Sequence, residues 1–236
     1  METTAFLSLL EERIQRYDLL THPFYKAWTA GELSREDLRM YAEDYYPHVE
    51  AFPGYLAQLG VRLEESELRS AVLANMADES GGETRLGEPE RAHRAHHDLW
   101  LDFVEGVGGS RAPKPEMVAE VADLVAKFQQ IASEGTPEEA LAAFYAYESQ
   151  VPRVAKEKER GLRELYGTDE KTRAYFALHA VADVYHSQVW RQQLEKRVGA
   201  NPFSADKALS AAENVAQALW NVLDGAESRR LERASV

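Results

Sequence analysis

The sequence predicts an all-α fold, and three observations support this prediction. Apolar residues recur at intervals of three and four along most of the chain, which is the pattern of an amphipathic helix. The alternation of Val, Ile and Thr that is typical of strands is nearly absent. Helix caps and Gly or Pro breakers separate the periodic segments. The chain has 236 residues, and no repeat or low-complexity segment divides it. We therefore expect one domain, 1–236, built as a helical bundle of about seven to eight main helices.

The N-terminal helices are predicted from apolar spacing and cap residues. Residues 6–17 form the first helix, and His22-Pro23 opens a short second one with proline in its first turn. Ser34 then caps a third helix, with Asp37 in the N3 position. That third helix is dense in aromatic side chains.

The remaining helices are predicted from the same signals. They cover about residues 68–78, 91–105, 115–133, 140–166, 169–200 and 205–223. Thr136 and Pro137 give a strong start to the helix that reaches residue 166, and Thr168 is expected to cap the helix after it. The Arg-rich tail at 226–236 is expected to fray.

The first indication of a functional site lies in the C-terminal half of the chain, where His179, Asp183 and His186 occupy positions i, i+4 and i+7. At 100° per helical residue they span about 60° of the helix surface, so they project from one face. The rest of that face is apolar and should point at the core. Two imidazoles and a carboxylate in such a place must be paired, neutralised or bound to a metal, because an isolated buried charge is too costly.

A second anomaly is Glu148, which lies in the middle of the apolar stripe of its own helix. Pro152, four residues later, cannot donate to the carbonyl of residue 148, so we expect the helix to kink there. Lys158 follows Val151 by seven residues, or two helical turns, and therefore lies on the same stripe. Spacing alone favours a solvated lysine at this position, since Lys158 lies within a charged run.

Further candidate ligands lie around a glycine-containing loop. Glu79 ends one helix, and His93, His96 and His97 precede the next apolar pattern. Either Glu79 pairs with His96, or Glu90 and His93 supply a Glu-x-x-His set of the kind found in helical di-iron proteins. This inventory of oxygen and nitrogen donors suits iron or manganese, and about six ligands suit two ions bridged by carboxylate.

A mononuclear site that uses only His179, Asp183 and His186 is the simpler alternative. A haem group held by a single histidine is also compatible with a helical fold, but clustered acids do not favour haem.

Composition excludes several other classes of function. The net charge of −13 opposes binding to nucleic acid or to anionic membranes. No cysteine is present, which excludes disulfides, thiolate metal sites and cysteine nucleophiles. The N-terminus has no signal-peptide pattern and no apolar run of about 20 residues occurs, so a cytoplasmic protein is expected.

Several of these segments resemble one known family over residues 5–225. The matching pieces are His22-Pro23-Phe24-Tyr25-Lys26-Ala27-Trp28, Tyr41-Ala42-Glu43-Asp44-Tyr45-Tyr46, Ala51-Phe52-Pro53, Tyr147-Glu148-Ser149-Gln150-Val151-Pro152-Arg153 and His179-x3-Asp183-x2-His186. They are similar to the chlamydial protein associating with death domains and its bacterial relatives. That family has the haem-oxygenase-like helical bundle, which it shares with pyrroloquinoline-quinone synthase-like (PqqC-like) and TenA-like proteins.

The resemblance implies a non-haem dimetal oxygenase that makes 4-aminobenzoate, a folate precursor. Its two ions would be Fe/Mn or Fe/Fe, and it would use molecular oxygen and an external reductant. The implied ligands are Glu79, His96, Glu148, His179, Asp183 and His186. The sequence departs from the family pattern in one respect, because the gap from Glu79 to His96 is about ten residues longer.

The resemblance also implies that the substrate is the protein itself. Tyr25 would supply the aromatic ring and Lys158 the amino group. From spacing alone, Tyr25 is no more than a half-buried aromatic in a helix-start motif. Two other functions remain open at this level: a dimetal oxygenase that acts on an external small molecule, and a non-catalytic protein-interaction module. For the assembly of the chain, the expectation is a homodimer.

Overall fold

The computed structural model describes residues 2–64, 66–82, 94–112 and 114–235. These residues form α-helices and short 3-10 helices, and within the described ranges there is no strand. The α-helices are α1 (Thr3–Gln15), α2 (Pro23–Ala30), α3 (Arg35–Arg62), α4 (Glu67–Glu79), α5 (His96–Gly106), α6 (Ala119–Glu134), α7 (Pro137–Glu148), α8 (Val151–Glu164), α9 (Glu170–Ala200) and α10 (Ala205–Ala234). The all-α prediction is therefore confirmed.

Several helix starts follow directly from local sequence. Ser34 and Asp37 form a reciprocal capping box at the start of α3, and Thr136 with Glu139 forms a second one at α7. His22 caps α2, because its Nδ1 atom accepts the backbone N–H of Phe24 at 3.1 Å. These caps satisfy donors that the first turn of a helix leaves free.

Some predicted boundaries were wrong. The disruption expected at Glu148 is confirmed, but it is a full break: the segment 140–166 is two helices, α7 and α8, because the missing N–H of Pro152 removes the bond that would continue α7 past Glu148. Asp169 rather than Thr168 caps α9 and accepts the backbone N–H of Thr172. The start of α6 lies at Ala119, after the proline-containing segment. The predicted start of α5 at residue 91 lies outside the described residues.

The tail at 226–236 does not fray as predicted, because α10 continues to Ala234. Its arginines find acidic partners on distant helices: Arg229 pairs with Glu120 of α6 at 3.3 Å, and Arg233 pairs with Asp37 of α3. These ion pairs hold the last turns against the bundle.

The helices pack around one continuous apolar core. The long helix α9 contacts α4, α5, α7 and α8, and α3 contacts α4, α5 and α6 on another side. α10 covers α7 and α6. Polar side chains from α4, α5, α7 and α9 therefore meet inside the bundle. Within the described ranges, every helix is too short or too polar to cross a lipid bilayer.

Candidate dimetal site and the adjacent lysine cavity

The three candidate ligands of α9, His179, Asp183 and His186, lie together on its buried face, as the helical spacing predicts. The Nδ1 atom of His179 lies 2.9 Å from Oδ2 of Asp183, and the Nδ1 atom of His186 lies 3.3 Å from the other oxygen, Oδ1. The Nε2 atom of His186 faces Oδ2 of Asp78 at 3.3 Å. Asp183 therefore orients both imidazoles of its own helix.

Three other helices bring the remaining candidate ligands to α9. Glu79 ends α4, His96 begins α5 and Glu148 ends α7, so each side chain stands where its helix stops beside α9. The Nδ1 atom of His96 lies 2.7 Å from Oε2 of Glu79 without the alignment of a hydrogen bond. Its ring centroid lies 4.6 Å from that of His179.

Together these residues form two overlapping groups of potential ligands. Each residue offers one donor atom, and within each group these atoms lie within 4.8 Å of one another. One group is Glu79, His96 and His179, and the other is Glu79, Glu148, Asp183 and His186. Glu79 belongs to both groups, so its carboxylate could serve as a ligand in either one.

Buried hydrogen bonds fix the carboxylate of Glu148. Trp190 donates its Nε1–H to Oε2, and Asn75 donates its Nδ2–H to Oε1 at 3.2 Å. Burial raises the pKa of Glu148 to about 8, and the nearby charge of His186 only partly opposes this effect. A carboxylate held in this way gains strongly from a neighbouring cation.

The ionised side chains on α9 stabilise one another. Burial acts against ionisation of Asp183, but the charge on His179, the hydrogen bond with His179 and the nearby charge on His186 lower its pKa to about 2. Burial also acts against protonation of His186, yet its interactions with Asp183 and Asp78 raise its pKa to about 11. In the absence of a metal, protons on the imidazoles therefore take the place of a cation.

The residues present fit a metal centre. Among the described residues, buried atoms without a hydrogen-bond partner include Nε2 of His179, Nδ1 of His186 and Oδ1 of Asp183. Buried polar atoms are nearly always satisfied, so such a cluster indicates a missing partner. Carboxylate and imidazole donors without thiolates are the set that iron and manganese accept.

Of the other candidate histidines, His97 is described by the structure and is not part of this cluster. The side chain of His97 is 36% exposed, and its closest acidic neighbour is Asp98 at 3.9 Å. His93 and Glu90 lie outside the described residues.

Lys158 is buried, so the solvated position favoured by spacing was wrong. It is 6% exposed, and aromatic rings surround its Nζ atom. The distances from Nζ to the ring centroids are 4.5 Å for Tyr25, 4.6 Å for Tyr41, 5.4 Å for Trp28, 5.4 Å for Phe176 and 5.9 Å for Trp100. Burial lowers the pKa of Lys158 well below its usual value, which favours the neutral, nucleophilic amine.

A close approach between α2 and α8 creates this cage. A Cβ atom at Gly161 would lie 2.9 Å from the indole of Trp28, so only glycine lets the helices meet here. Lys158 lies about one turn before Gly161 on α8, and its side chain packs against the aromatic side chains of α2. Its Nζ lies 2.6 Å from the hydroxyl of Tyr41, which in turn lies 2.9 Å from the hydroxyl of Tyr25.

Tyr25 is also buried, at 5% exposure, and burial raises its pKa so that it remains a neutral phenol. The space beside Tyr25 and Lys158 is a cavity of about 30 Å³. Tyr147 and Tyr175 line both this cavity and the narrow space around Glu148 and the α9 residues. One layer of aromatic rings therefore separates the lysine cavity from the candidate metal site.

Sequence reasoning missed several residues of this arrangement. Asn75 was detectable, since it interrupts the buried stripe of α4 formed by Leu68, Val72 and Glu79. Asp78 gave no such signal, because it lies on the exposed side of its helix and meets His186 only in the folded structure.

Comparison with known families is consistent with this chemistry. Residues 39–220 match the model of a haem-oxygenase-like family described as iron-containing redox enzyme. A protein named 4-aminobenzoate synthase from Chlamydia trachomatis is 37% identical over 224 residues, which cover 93% of this chain and 90% of the relative. A protein of the same name from Nitrosomonas europaea is 36% identical and covers 95% of this chain and 92% of the relative.

Solved structures with low sequence identity share the fold. A TenA homologue from Pseudomonas syringae has a TM-score of 0.75 at 18% identity and covers 97% of this chain and 96% of its own. A CADD-like protein from Nostoc punctiforme has a TM-score of 0.72 at 13% identity, with coverage of 98% and 97%. The predicted haem-oxygenase-like fold is thereby confirmed.

Proposed function

Because this chain belongs to the family of haem-oxygenase-like, iron-containing redox enzymes, we propose that it is a self-sacrificing 4-aminobenzoate synthase. The ring would come from Tyr25 and the amino group from Lys158. The names of its relatives support the product, and the placement of the amine 4.5 Å from the Tyr25 ring supports the source. That placement is the observation that carries the proposal.

The chemical correspondence between tyrosine and product is direct. Tyrosine carries a hydroxyl group and its Cβ atom at para positions of the ring, and 4-aminobenzoate carries an amine and a carboxyl group at the same positions. Conversion requires three changes: the Cβ atom is oxidised and separated from the backbone, nitrogen replaces the phenol oxygen, which leaves as water, and the Nζ–Cε bond of Lys158 is then cleaved. Molecular oxygen is the oxidant for both bond cleavages. Lys158 is the nitrogen nucleophile within reach of the ring.

Six side chains would hold the two ions, as Fe/Mn or Fe/Fe. They are Glu79, His96, Glu148, His179, Asp183 and His186. The ions would supply oxygen activation, with electrons from an external reductant. Around them, Asn75 and Trp190 hold Glu148 in place, and Tyr147 and Tyr175 separate this chemistry from the amine.

The protein also controls the protons near the reacting ring. Burial keeps Lys158 neutral, so its lone pair is free for attack. Tyr41 lies between the amine and the hydroxyl of Tyr25, at 2.6 Å and 2.9 Å. A proton can therefore pass from the amine to the phenol oxygen through a single hydroxyl group.

The size of the cavity favours an internal substrate. About 30 Å³ is the space of one water molecule, which is far too small for a second aromatic ring. The ring nearest the amine is already that of Tyr25.

The proposal is tested by incubating purified protein with Fe(II), or Fe(II) with Mn(II), a reductant and oxygen, and no added substrate. We expect release of 4-aminobenzoate at no more than one molecule per chain. Tyr25→Phe should give no product while metal analysis shows unchanged ion content, and Tyr46→Phe serves as the control for loss of a phenol elsewhere. Product from Tyr25→Phe, or many turnovers on an added small molecule, would contradict the proposal.

A further inference from the structure

A polar surface groove lies next to the lysine cavity. The groove has a volume of about 400 Å³ and runs between α1, the α7–α8 junction and α9. In three pairs of neighbouring residues, the first member lines the groove and the second lines the cavity. These pairs are Asp18 and Leu19, Gln150 and Val151, and Arg153 and Val154. The partition between groove and cavity is therefore one residue thick.

Two polar side chains join the two sides of this partition. The 3-10 helix Leu19–Thr21 supplies one side of it, and the first turn of α8 supplies the other. Gln150 joins the two sides, because its Oε1 atom accepts the backbone N–H of Leu19 at 3.0 Å. Arg153 joins them a second time through its two Nη atoms, which lie 3.0 Å and 3.3 Å from the carboxylate oxygens of Asp18.

Arg153 is the basic residue among those that line the groove, and it is available to bind an anion. Its side chain is 56% exposed, and its ion pair with Asp18 is solvent-accessible and therefore weak. The other acid of the groove, Glu11, is already bound by Arg191 at 2.6 Å and by the hydroxyl of Tyr145. Among the residues that the structure describes, an incoming carboxylate therefore competes only with Asp18 for the guanidinium group.

We propose that this groove is a binding site for aromatic monocarboxylates and the exit for the product. Arg153 exchanges Asp18 for the carboxylate of 4-aminobenzoate, and the 3-10 helix Leu19–Thr21 moves aside as Leu19 leaves the cavity wall. This inference rests on the proposed function, because a product cut from Tyr25 forms inside the buried cavity and must cross its wall to reach solvent. Guanidinium groups bind carboxylates through paired hydrogen bonds, which suits this exchange.

Equilibrium dialysis of the metal-free full chain against 4-aminobenzoate tests the site without any chemistry. We expect Arg153→Gln to weaken binding about fivefold or more, and Arg153→Lys to restore part of it. Asp18→Asn should tighten binding, because it removes the competing carboxylate. Arg163→Gln, on the exposed side of the same helix, is the matched control and should not change affinity.

The opposite signs expected for Arg153→Gln and Asp18→Asn separate anion recognition from simple loosening of the partition. Aniline, which lacks the carboxylate, should show no dependence on Arg153. Equal affinity in Arg153→Gln and Arg163→Gln, or no saturable binding by the unmodified chain, would overturn the proposal.

A single-turnover experiment with metal-loaded protein keeps the two proposals distinguishable. Acid quenching measures all product formed, and rapid filtration under native conditions measures the part released. We expect Arg153→Gln to lower the released fraction of the total at early times. No product in any quenched sample would refute the proposed function, whereas equal released fractions in all variants would refute the exit site alone.

Discussion

The protonation state of Lys158 gives a prediction whose size follows from the structure. Replacing Lys158 with Met keeps an unbranched chain in the aromatic cage and removes the titratable amine. In the folded protein, burial lowers the pKa of this lysine, whereas the unfolded chain has the usual value of about 10.4. Between those two values the unfolded chain binds one proton that the folded chain does not.

The sign of the effect follows from this difference in bound protons. Stability rises with pH wherever the unfolded state binds more protons, by about 1.4 kcal/mol per pH unit for one group. The free energy of unfolding of the unmodified chain, minus that of Lys158→Met, should therefore increase by about 2 kcal/mol between about pH 8.0 and 9.5. Tyr25 and Tyr41 do not disturb the comparison, because burial raises their pKa values.

Urea unfolding at several pH values across this range measures the difference. Lys156→Met is the matched control, since Lys156 is exposed on the same helix and should show no such slope. Parallel stability curves for the unmodified chain and Lys158→Met would mean that the buried amine is charged in the fold. That result would refute its assignment as a neutral nucleophile.

Three further predictions concern the metal site and the helix that carries Tyr25. Anaerobic Fe(II) should raise the melting temperature, because ions bind only the folded state, and Asp183→Asn should abolish this rise. Asn75→Leu removes a donor to Glu148 and should weaken metal binding about 10- to 100-fold in metal titrations. His22→Ala should cost about 1 kcal/mol in urea unfolding through loss of the α2 cap, whereas His22→Asn should retain most of the stability.

Each of these predictions has a contradicting result. A full melting shift in Asp183→Asn would place the metal elsewhere. Unchanged affinity in Asn75→Leu would mean that Trp190 alone positions Glu148. Equal losses in the Ala and Asn variants of His22 would mean that its interaction with Asp224, 3.0 Å from its Nε2 atom, matters more than the cap.

Local sequence was sufficient where one helix carries the information. The cap residues Ser34 and Thr136 predicted two helix starts, and the period of 3.6 placed His179, Asp183 and His186 on one buried face. Such features depend on neighbours within one or two turns, so spacing can reveal them.

Features that depend on contacts between helices could not be predicted in this way. Lys158 lies in a charged run, and only the close approach of Trp28 to Gly161 buries it. The α10 tail is arginine-rich and looks solvated, yet it is fixed by Glu120 and Asp37 from other helices. Spacing likewise left the choice between Glu79 with His96 and Glu90 with His93 open, and the resemblance favoured the former pair.

The most direct test of the central claim follows the ring of Tyr25 from the chain into the product. Protein labelled with ring-13C tyrosine is loaded with metal, reduced and exposed to oxygen, and both product and protein are analysed by mass spectrometry. The account predicts 4-aminobenzoate that carries the ring label, and an equal amount of chain that has lost the side chain at residue 25 and no other tyrosine. Unlabelled product, or labelled product from a chain in which Tyr25 is intact, would contradict it.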